Sequence, residues 1–275
     1  MFIKKALIGT KNFIKYIKKG GVVNVEINQI KYNDILKNKK VLITGGSSGI
    51  GLAIAKKFIS EGAIVVITGR NIERLKKAEK EINNKNLSII EWDISDISII
   101  EKKYNEILKK IGTLDILINN AGIDSYKNFE DIDISIYNNV IRTNLDGAYF
   151  LSQIFSKNLI KDKIKGKIVN LSSIRGIYGA SEPYGISKWG ITGMTIGLGR
   201  DLAKYGINVN AIAPGVTATP INGIKKEDNL YIERCKNKRA GLPEEIAELA
   251  LFLCSNAANH IVGQVIVCDG GESLI

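Results

Sequence analysis

The chain has one histidine, His260, and three cysteines, Cys235, Cys254 and Cys268, none at metal-ligand spacing. Zinc is therefore not expected, and an odd, scattered cysteine set gives no disulfide framework, which fits a reducing, cytoplasmic setting. Long apolar runs are missing as well. The longest candidates, such as 63–68, have strand length, against the roughly 20 residues a membrane-spanning helix needs. There is no internal repeat and no low-complexity linker. What remains, 275 residues with 45% hydrophobic and 24% charged positions, has the composition of a globular protein with one large α/β domain.

Acidic residues are scarce only at one end. Ten lysines among residues 1–40 face just Glu26 and Asp34, so +8 of the net +11 sits there and +3 is left elsewhere. That balance gives the main domain no broad basic face, and no DNA- or RNA-recognition motif is present, so no nucleic-acid partner is expected. The arm is the basic object. On a helix, Phe2, Ile3, Ala6, Leu7, Phe13, Ile14 and Ile17 share one arc and Lys4, Lys5, Lys11, Lys15, Lys18 and Lys19 the other. Two docking partners stay open for that apolar stripe along 1–19: the protein itself or a sister subunit, or an anionic membrane surface, with Gly20-Gly21 as hinge. The lysines interrupt any continuous apolar core, so a signal peptide is not expected.

From Lys40 onward, short β-branched runs alternate with longer helical patterns, the signature of βαβ units in a parallel sheet. The spacing predicts strands near 41–44, 64–68, 88–92, 115–119, 167–171, 207–211 and 264–267. Helices are predicted over 50–60, 71–82, 97–110, 135–159, 184–204 and 243–255. The expected fold is an α/β doubly wound (Rossmann) seven-stranded parallel sheet spanning 39–275, preceded by an extension over 1–38. Ligands of such sheets bind at the carboxyl ends of the strands.

At the first such end the chain reads Thr44-Gly45-Gly46-Ser47-Ser48-Gly49-Ile50-Gly51 and enters an apolar helix. Glycines there let backbone approach a pyrophosphate, whose charge is favoured by a helix N-terminus. Tyr184 and Lys188 stand four apart on a predicted helix and so share a face. A phenol of pKa about 10 is a poor acid or base at neutral pH, and a neighbouring ammonium favours its anion. The pair thus reads as an acid/base device in which Lys188 draws Tyr184 toward the working pH.

These motifs, with Asn119-Asn120-Ala121-Gly122 closing the fourth strand, Pro214-Gly215 following the sixth and Asp269-Gly270-Gly271 ending the seventh, resemble the short-chain dehydrogenase/reductase family over about 40–271. Within it the chain looks most like the 3-oxoacyl-[acyl-carrier-protein] reductases. The resemblance implies an NAD(P)-dependent enzyme interconverting a carbonyl and an alcohol, with Tyr184 as acid/base and Lys188 also holding the nicotinamide ribose. It implies Ser173 as the group that polarises the carbonyl and Asn144 as fixing a water beside the lysine. The loop from Ser173 to Tyr184 is about two residues shorter than usual, which keeps Ser172 open as the alternative.

For the cofactor, the resemblance implies contacts from Thr44, Gly45, Ser47, Ser48, Gly49, Ile50 and Gly51, from Asp93 and Ile94 at the adenine, and from Asn120 with Ala121 and Gly122 near the adenosine ribose. Pro214, Gly215, Val216 through its N–H, and Thr219 would meet the nicotinamide carboxamide. At the end of the second strand, where a carboxylate would bind the 2′-hydroxyl of NAD, the chain has Gly69 and then Arg70, suited to the 2′-phosphate of NADP. NADP is the expected cofactor, with NAD open because Ser48 stands where a second basic residue is often found. Residues 218–241 read as a substrate lid, whose Tyr231, Arg234 and Arg239 either meet an anionic substrate or face solvent. Lys163, Lys165, Lys167 and Lys204 are candidate contacts for an acidic carrier protein. The alternatives are a sugar or other alcohol dehydrogenase and a cofactor-binding scaffold without catalysis. A homodimer or homotetramer through the helices at 97–110, 135–159 and 184–204 is implied.

Overall fold

A computed structural model describes Tyr32 and residues 34–274; the amphipathic stripe and hinge expected in the N-terminal arm lie outside the described residues. Seven strands form one sheet: β1 (Lys40–Thr44), β2 (Ile64–Gly69), β3 (Leu87–Glu91), β4 (Ile116–Asn119), β5 (Gly166–Leu171), β6 (Ile207–Pro214) and β7 (Val265–Cys268). Every pairing is parallel, in the order β3-β2-β1-β4-β5-β6-β7. The helices are α1 (Gly49–Ser60), α2 (Ile72–Ile82), α3 (Ile100–Ile111), α4 (Ile134–Ile141), α5 (Gly147–Asp162), α6 (Pro183–Leu202) and α7 (Pro243–Cys254).

The strands read as unbroken apolar runs because both faces of the sheet are covered. Val41 and Ile43 of β1 join one core with Val65, Ile67, Phe58 and Ile246, while Leu42, between them, points to the other core with Val66, Leu117, Tyr104 and Phe155. Phe58 and Phe155 are fully buried. Truncating either to Ala would cost roughly 3–5 kcal/mol. Packing begins ahead of residue 39: Leu36 is buried in the first core and its N–H donates to Glu61 O at 2.9 Å. The buried Glu61 carboxylate accepts Tyr32 N at 3.1 Å and lies 3.5 Å from the buried Lys57 ammonium, which also meets Glu248 at 2.9 Å.

Two features differ from the sequence reading. The single helix predicted over 135–159 is two α-helices joined by a π-helical turn, Arg142–Asp146, whose extra residue re-aims Thr143 and Asn144 into the protein. Such turns carry a cost and cluster where a side chain must be aimed. The polar stretch 218–241 is held by a small core of its own, with Ala218, Leu230, Ala240 and Leu242 buried. Arg239 makes a bidentate pair with Glu245 at 2.7 and 2.6 Å, and that carboxylate also caps α7 by accepting Leu242 N.

The strand order reverses between β1 and β4, so the segments leaving them diverge at their carboxyl ends. That divergence opens the crevice in which doubly wound sheets bind ligands.

Candidate active site

A cleft of ≈ 1210 Å³ lies there, lined from the ends of all the strands β1 to β6. Its floor near β1 is a stitched backbone turn. Thr44 Oγ1 accepts the N–H groups of Asn120 and Ala121 at 3.0 and 3.1 Å, and Asn120 Nδ2 donates to the carbonyls of Thr44 and Gly45 at 2.9 and 3.0 Å. Asn120, expected beside the adenosine ribose, therefore spends its amide donor on fastening the turn to β4. The glycines make this approach feasible: a Cβ at Gly51 would stand 2.4 Å from Asn120 Nδ2 and 2.5 Å from Gly45 O, and Gly45 itself has φ +66. Ser48 precedes α1 without a side-chain cap, so the helix N-terminus offers its N–H groups toward the cleft, where Ser47, Gly49 and Ile50 also lie.

Arg70, Asp93 and Ile94 line the end of the cleft beyond β2 and β3. Asp93 Oδ1 is held by Ser95 through N at 3.0 Å and Oγ at 2.7 Å. Arg74, in the first turn of α2, lines the same end. Its N–H is capped by Asn71 Oδ1 at 2.9 Å, and no motif in the sequence marked it.

At the opposite end β5 and α6 converge. Lys188, buried, donates from Nζ to Leu171 O at 2.7 Å and lies 5.6 Å from the Tyr184 ring centroid. Burial pulls its ammonium down to about 8. Tyr184 hydrogen-bonds Ser173; burial raises the phenol above its ordinary value, Asp124 and Tyr126 add to the rise, and Ser173 and Arg175 oppose it. This is the reverse of the expectation that Lys188 draws Tyr184 down. The cause is desolvation, which disfavours the charged form of both groups, with the ammonium placed over the ring. The neighbouring serines separate cleanly: Ser172 Oγ donates to Lys188 O at 3.1 Å and pairs with Thr192 Oγ1 at 3.0 Å, whereas Ser173 faces Tyr184.

Asn144, turned inward by the π segment, accepts Ile123 N at 2.8 Å and donates through Nδ2 to Ile123 O and Ser187 Oγ, both at 3.0 Å. Its two amide hydrogens are thus used within the protein, and only acceptor capacity on Oδ1 is left for the water expected beside the lysine. A Cβ at Gly122 would lie 3.5 Å from both Asn144 Oδ1 and Lys188 Nζ, so Gly122 keeps this corner open. The first residue of the Asn119-Asn120-Ala121-Gly122 motif also starts a buried chain whose other members no spacing marked: Asn119 Nδ2 donates to Ser152 Oγ and Asn170 Oδ1, and Asn170 Nδ2 to Thr195 Oγ1.

Pro214, Gly215, Val216 and Thr219 line the cleft past β6, but the Val216 N–H is not available to a carboxamide: it donates to Glu272 Oε2 at 2.9 Å. Thr219 Oγ1 donates to Thr217 O at 3.3 Å. Arg239 is held bidentate by Glu245 and does not line the cleft, whereas Arg234 lines it and pairs with Glu272 through Nε. Two further loop braces were not foreseen. Arg175 binds Glu182 Oε1 through Nε and Nη2 at 3.1 and 2.7 Å, closing the short loop between Ser173 and Tyr184. Tyr126 OH donates to Ile221 O, joining the segment after β4 to 218–241.

The four lysines set aside for a carrier protein fall elsewhere. Lys163 and Lys165 precede β5, Lys167 is its second residue, and Lys204 precedes β6, at the amino ends of strands whose carboxyl ends form the cleft. A six-residue strand spans about 20 Å, so these lysines do not border the mouth.

Residues 39–230 match the short chain dehydrogenase family. The chain is 37% identical to 3-oxoacyl-[acyl-carrier-protein] reductase FabG of Aquifex aeolicus over 243 residues, covering 86% of this chain and 98% of that one. It is 33% identical to a 3alpha-hydroxysteroid dehydrogenase of Mediterraneibacter gnavus, covering 86% and 97%. A crystal structure of a short chain dehydrogenase from Bacillus anthracis superposes with a TM-score of 0.79 at 38% identity, covering 86% and 97%. The fold, the cleft and these likenesses agree: the chain belongs to the short chain dehydrogenase family and is an NAD(P)-dependent oxidoreductase acting on CH–OH/C=O groups.

Proposed function

We propose that the protein reduces a carbonyl to an alcohol with NADPH, and that its substrate class is the 3-oxoacyl thioester carried on an acyl carrier protein. The observation that carries the reaction is the convergence of Ser173, Tyr184 and Lys188 in one buried corner of the cleft. The substrate class rests on the FabG-named relatives at 36–38% identity over most of the chain.

The turn over Thr44–Gly51 suits a pyrophosphate, since Gly45 and Gly51 let the backbone close tightly against Asn120 and leave the N-terminus of α1 facing the cleft. Arg70 and Arg74, with no acid at Gly69, suit a 2′-phosphate. When bound, nicotinamide supplies the hydride. Ser173 and Tyr184 each direct a hydroxyl at the substrate oxygen, and their hydrogen bonds strengthen as negative charge develops there. The raised pKa keeps Tyr184 protonated until that moment; the alkoxide formed is far more basic than phenolate, so the proton then moves from Tyr184 downhill. Lys188, fixed on Leu171 O, disperses the charge left on the ring, and Asn144 holds the backbone at Ile123 against α6.

The 3alpha-hydroxysteroid dehydrogenase relative favours a second reading, a dehydrogenase of a sugar or other alcohol. Exposed Tyr149 and Phe150 of α5 with Trp189 and Ile196 of α6 support a homodimer or homotetramer through these helices. A cytoplasmic location rests on the odd, scattered cysteines, and contact of residues 1–19 with the inner membrane face, or their docking on the protein itself or a sister subunit, rests on the arm's sequence pattern; liposome sedimentation with and without residues 1–20 distinguishes the two. The function is tested by NADPH and NADH consumption against an acetoacetyl thioester, a diketone and keto-sugars. Oxidation of NADPH with the thioester preferred is expected; binding of both cofactors without turnover of any compound would favour a scaffold.

A further inference from the structure

The turn after β7 brings Glu272 into the wall of the cleft. Asp269 sets that turn, accepting Gly271 N at 2.9 Å and Ser273 N at 2.6 Å. Glu272 then reaches two segments at once. Its Oε2 accepts Val216 N at 2.9 Å, and its Oε1 accepts Arg234 Nε at 2.5 Å. The carboxylate side chain is 10% exposed while that of Arg234 is 64% exposed, so the acid is built in and the arginine folds onto it. Room for it comes from Gly215, where a Cβ would stand 2.7 Å from Glu272 Oε2. A backbone bond from Asn237 N to Gly270 O at 3.0 Å runs alongside.

Val216 lies just before the flap 218–241 and Arg234 lies within its far half. One carboxylate therefore joins the near hinge of the flap to its distal part. The flap also carries Thr219 and Ile221, which line the cleft. We propose that Glu272 is a positioning residue, a clamp from the C-terminal turn that holds the flap closed over the cleft and so sets how tightly ligands are bound. The clamp rests on the reading that hydride transfer takes place in this cleft. Because Ser173 stands just past β5 and Tyr184 and Lys188 on α6, none of them on the flap, its loss acts on binding and leaves the chemical step alone.

The test uses the full chain with Glu272→Ala, Glu272→Gln and Arg234→Ala. Two readouts are taken: trypsin cleavage and hydrogen exchange within 216–241, and kcat and KM for NADPH-dependent reduction of an acetoacetyl thioester. Glu272→Ala is expected to speed flap cleavage and raise KM about tenfold, with kcat within about twofold. Glu272→Gln keeps the acceptor for Val216 N but loses the ion pair, so it should fall between wild type and Ala and match Arg234→Ala. Unchanged flap protection in Glu272→Ala overturns the clamp, as does a fall in kcat that tracks a lowered Tm. If the wild type oxidises no NADPH, the proposed function fails, while cleavage and exchange still decide the clamp.

Discussion

The ammonium of Lys188 is fastened 2.7 Å from the Leu171 carbonyl, at the end of β5, and sits 5.6 Å from the centroid of the Tyr184 ring instead of at its hydroxyl. Both ionisable groups of the corner are desolvated, and each is pushed toward its neutral form: the lysine down, the phenol up. A half-buried phenol kept neutral suits the donor in a reduction.

The lysine makes stability depend on pH in a definite direction. In the folded chain Lys188 gives up its proton at about 8, against 10.5 unperturbed. Between these values the unfolded chain binds more protons, so raising the pH through the window stabilises the fold. Lys188→Met removes the effect. Urea unfolding at pH 7 and pH 10.5 should show the difference between wild type and variant changing by on the order of 3 kcal/mol in favour of wild type. A difference that does not vary with pH would mean that burial at this site does not penalise the charge.

Tyr184→Phe removes the proton donor while keeping the ring over which Lys188 sits. Turnover should fall by about 10²–10⁴ with little change in NADPH affinity or Tm. NADPH consumption paired with fluorescence titration checks this; loss of cofactor binding together with activity would instead make Tyr184 a packing residue.

The fold was legible because its signals are local and repeated. Apolar strand runs alternate with helical spacing, and Gly45 and Gly51 mark a turn where backbone must approach backbone. What the sequence reading missed depends on contacts between distant segments. No spacing rule joins Glu272 to Val216, 56 residues apart, or Tyr126 to Ile221, 95 apart. The π turn at Asn144 was missed because no proline marks it and its inserted residue shows only as a phase shift within 135–159, which a single-helix reading absorbs. The carrier-protein lysines failed for a related reason: charge type is readable along a chain, but which end of a strand it occupies has to be placed on the sheet.

The two arginines beyond β2 should decide between the nucleotides. Arg70→Ala removes one charge-assisted contact with a 2′-phosphate, worth about 1.5–3 kcal/mol, and should raise KM for NADPH roughly 10- to 100-fold while leaving NADH nearly untouched. Arg74→Ala, in the first turn of α2 on the same wall, should act in the same direction. Equal losses for both nucleotides would show that these side chains meet the shared pyrophosphate instead.

Ser172 and Ser173 offer the sharpest contrast, because one chemical change at adjacent positions should produce opposite results. Ser172 spends its hydroxyl on Lys188 O and Thr192 Oγ1, inside the contact between β5 and α6. Its removal leaves buried polar groups short of a partner, at about 1 kcal/mol or more. For a chain of this length that lowers Tm by roughly 2–4 °C, with modest loss of kcat. Ser173 shares its hydroxyl with Tyr184 at the cleft wall and accepts Arg175 N at 3.1 Å. Ser173→Ala should lower kcat by about 10²-fold or more, through lost stabilisation of the developing oxyanion, with Tm little changed. Melting curves and kcat for the two variants, measured side by side, check the assignment. If Ser172→Ala is the one that abolishes turnover, then the substrate oxygen lies deeper toward α6, and the bond between Ser173 and Tyr184 belongs to the resting corner alone.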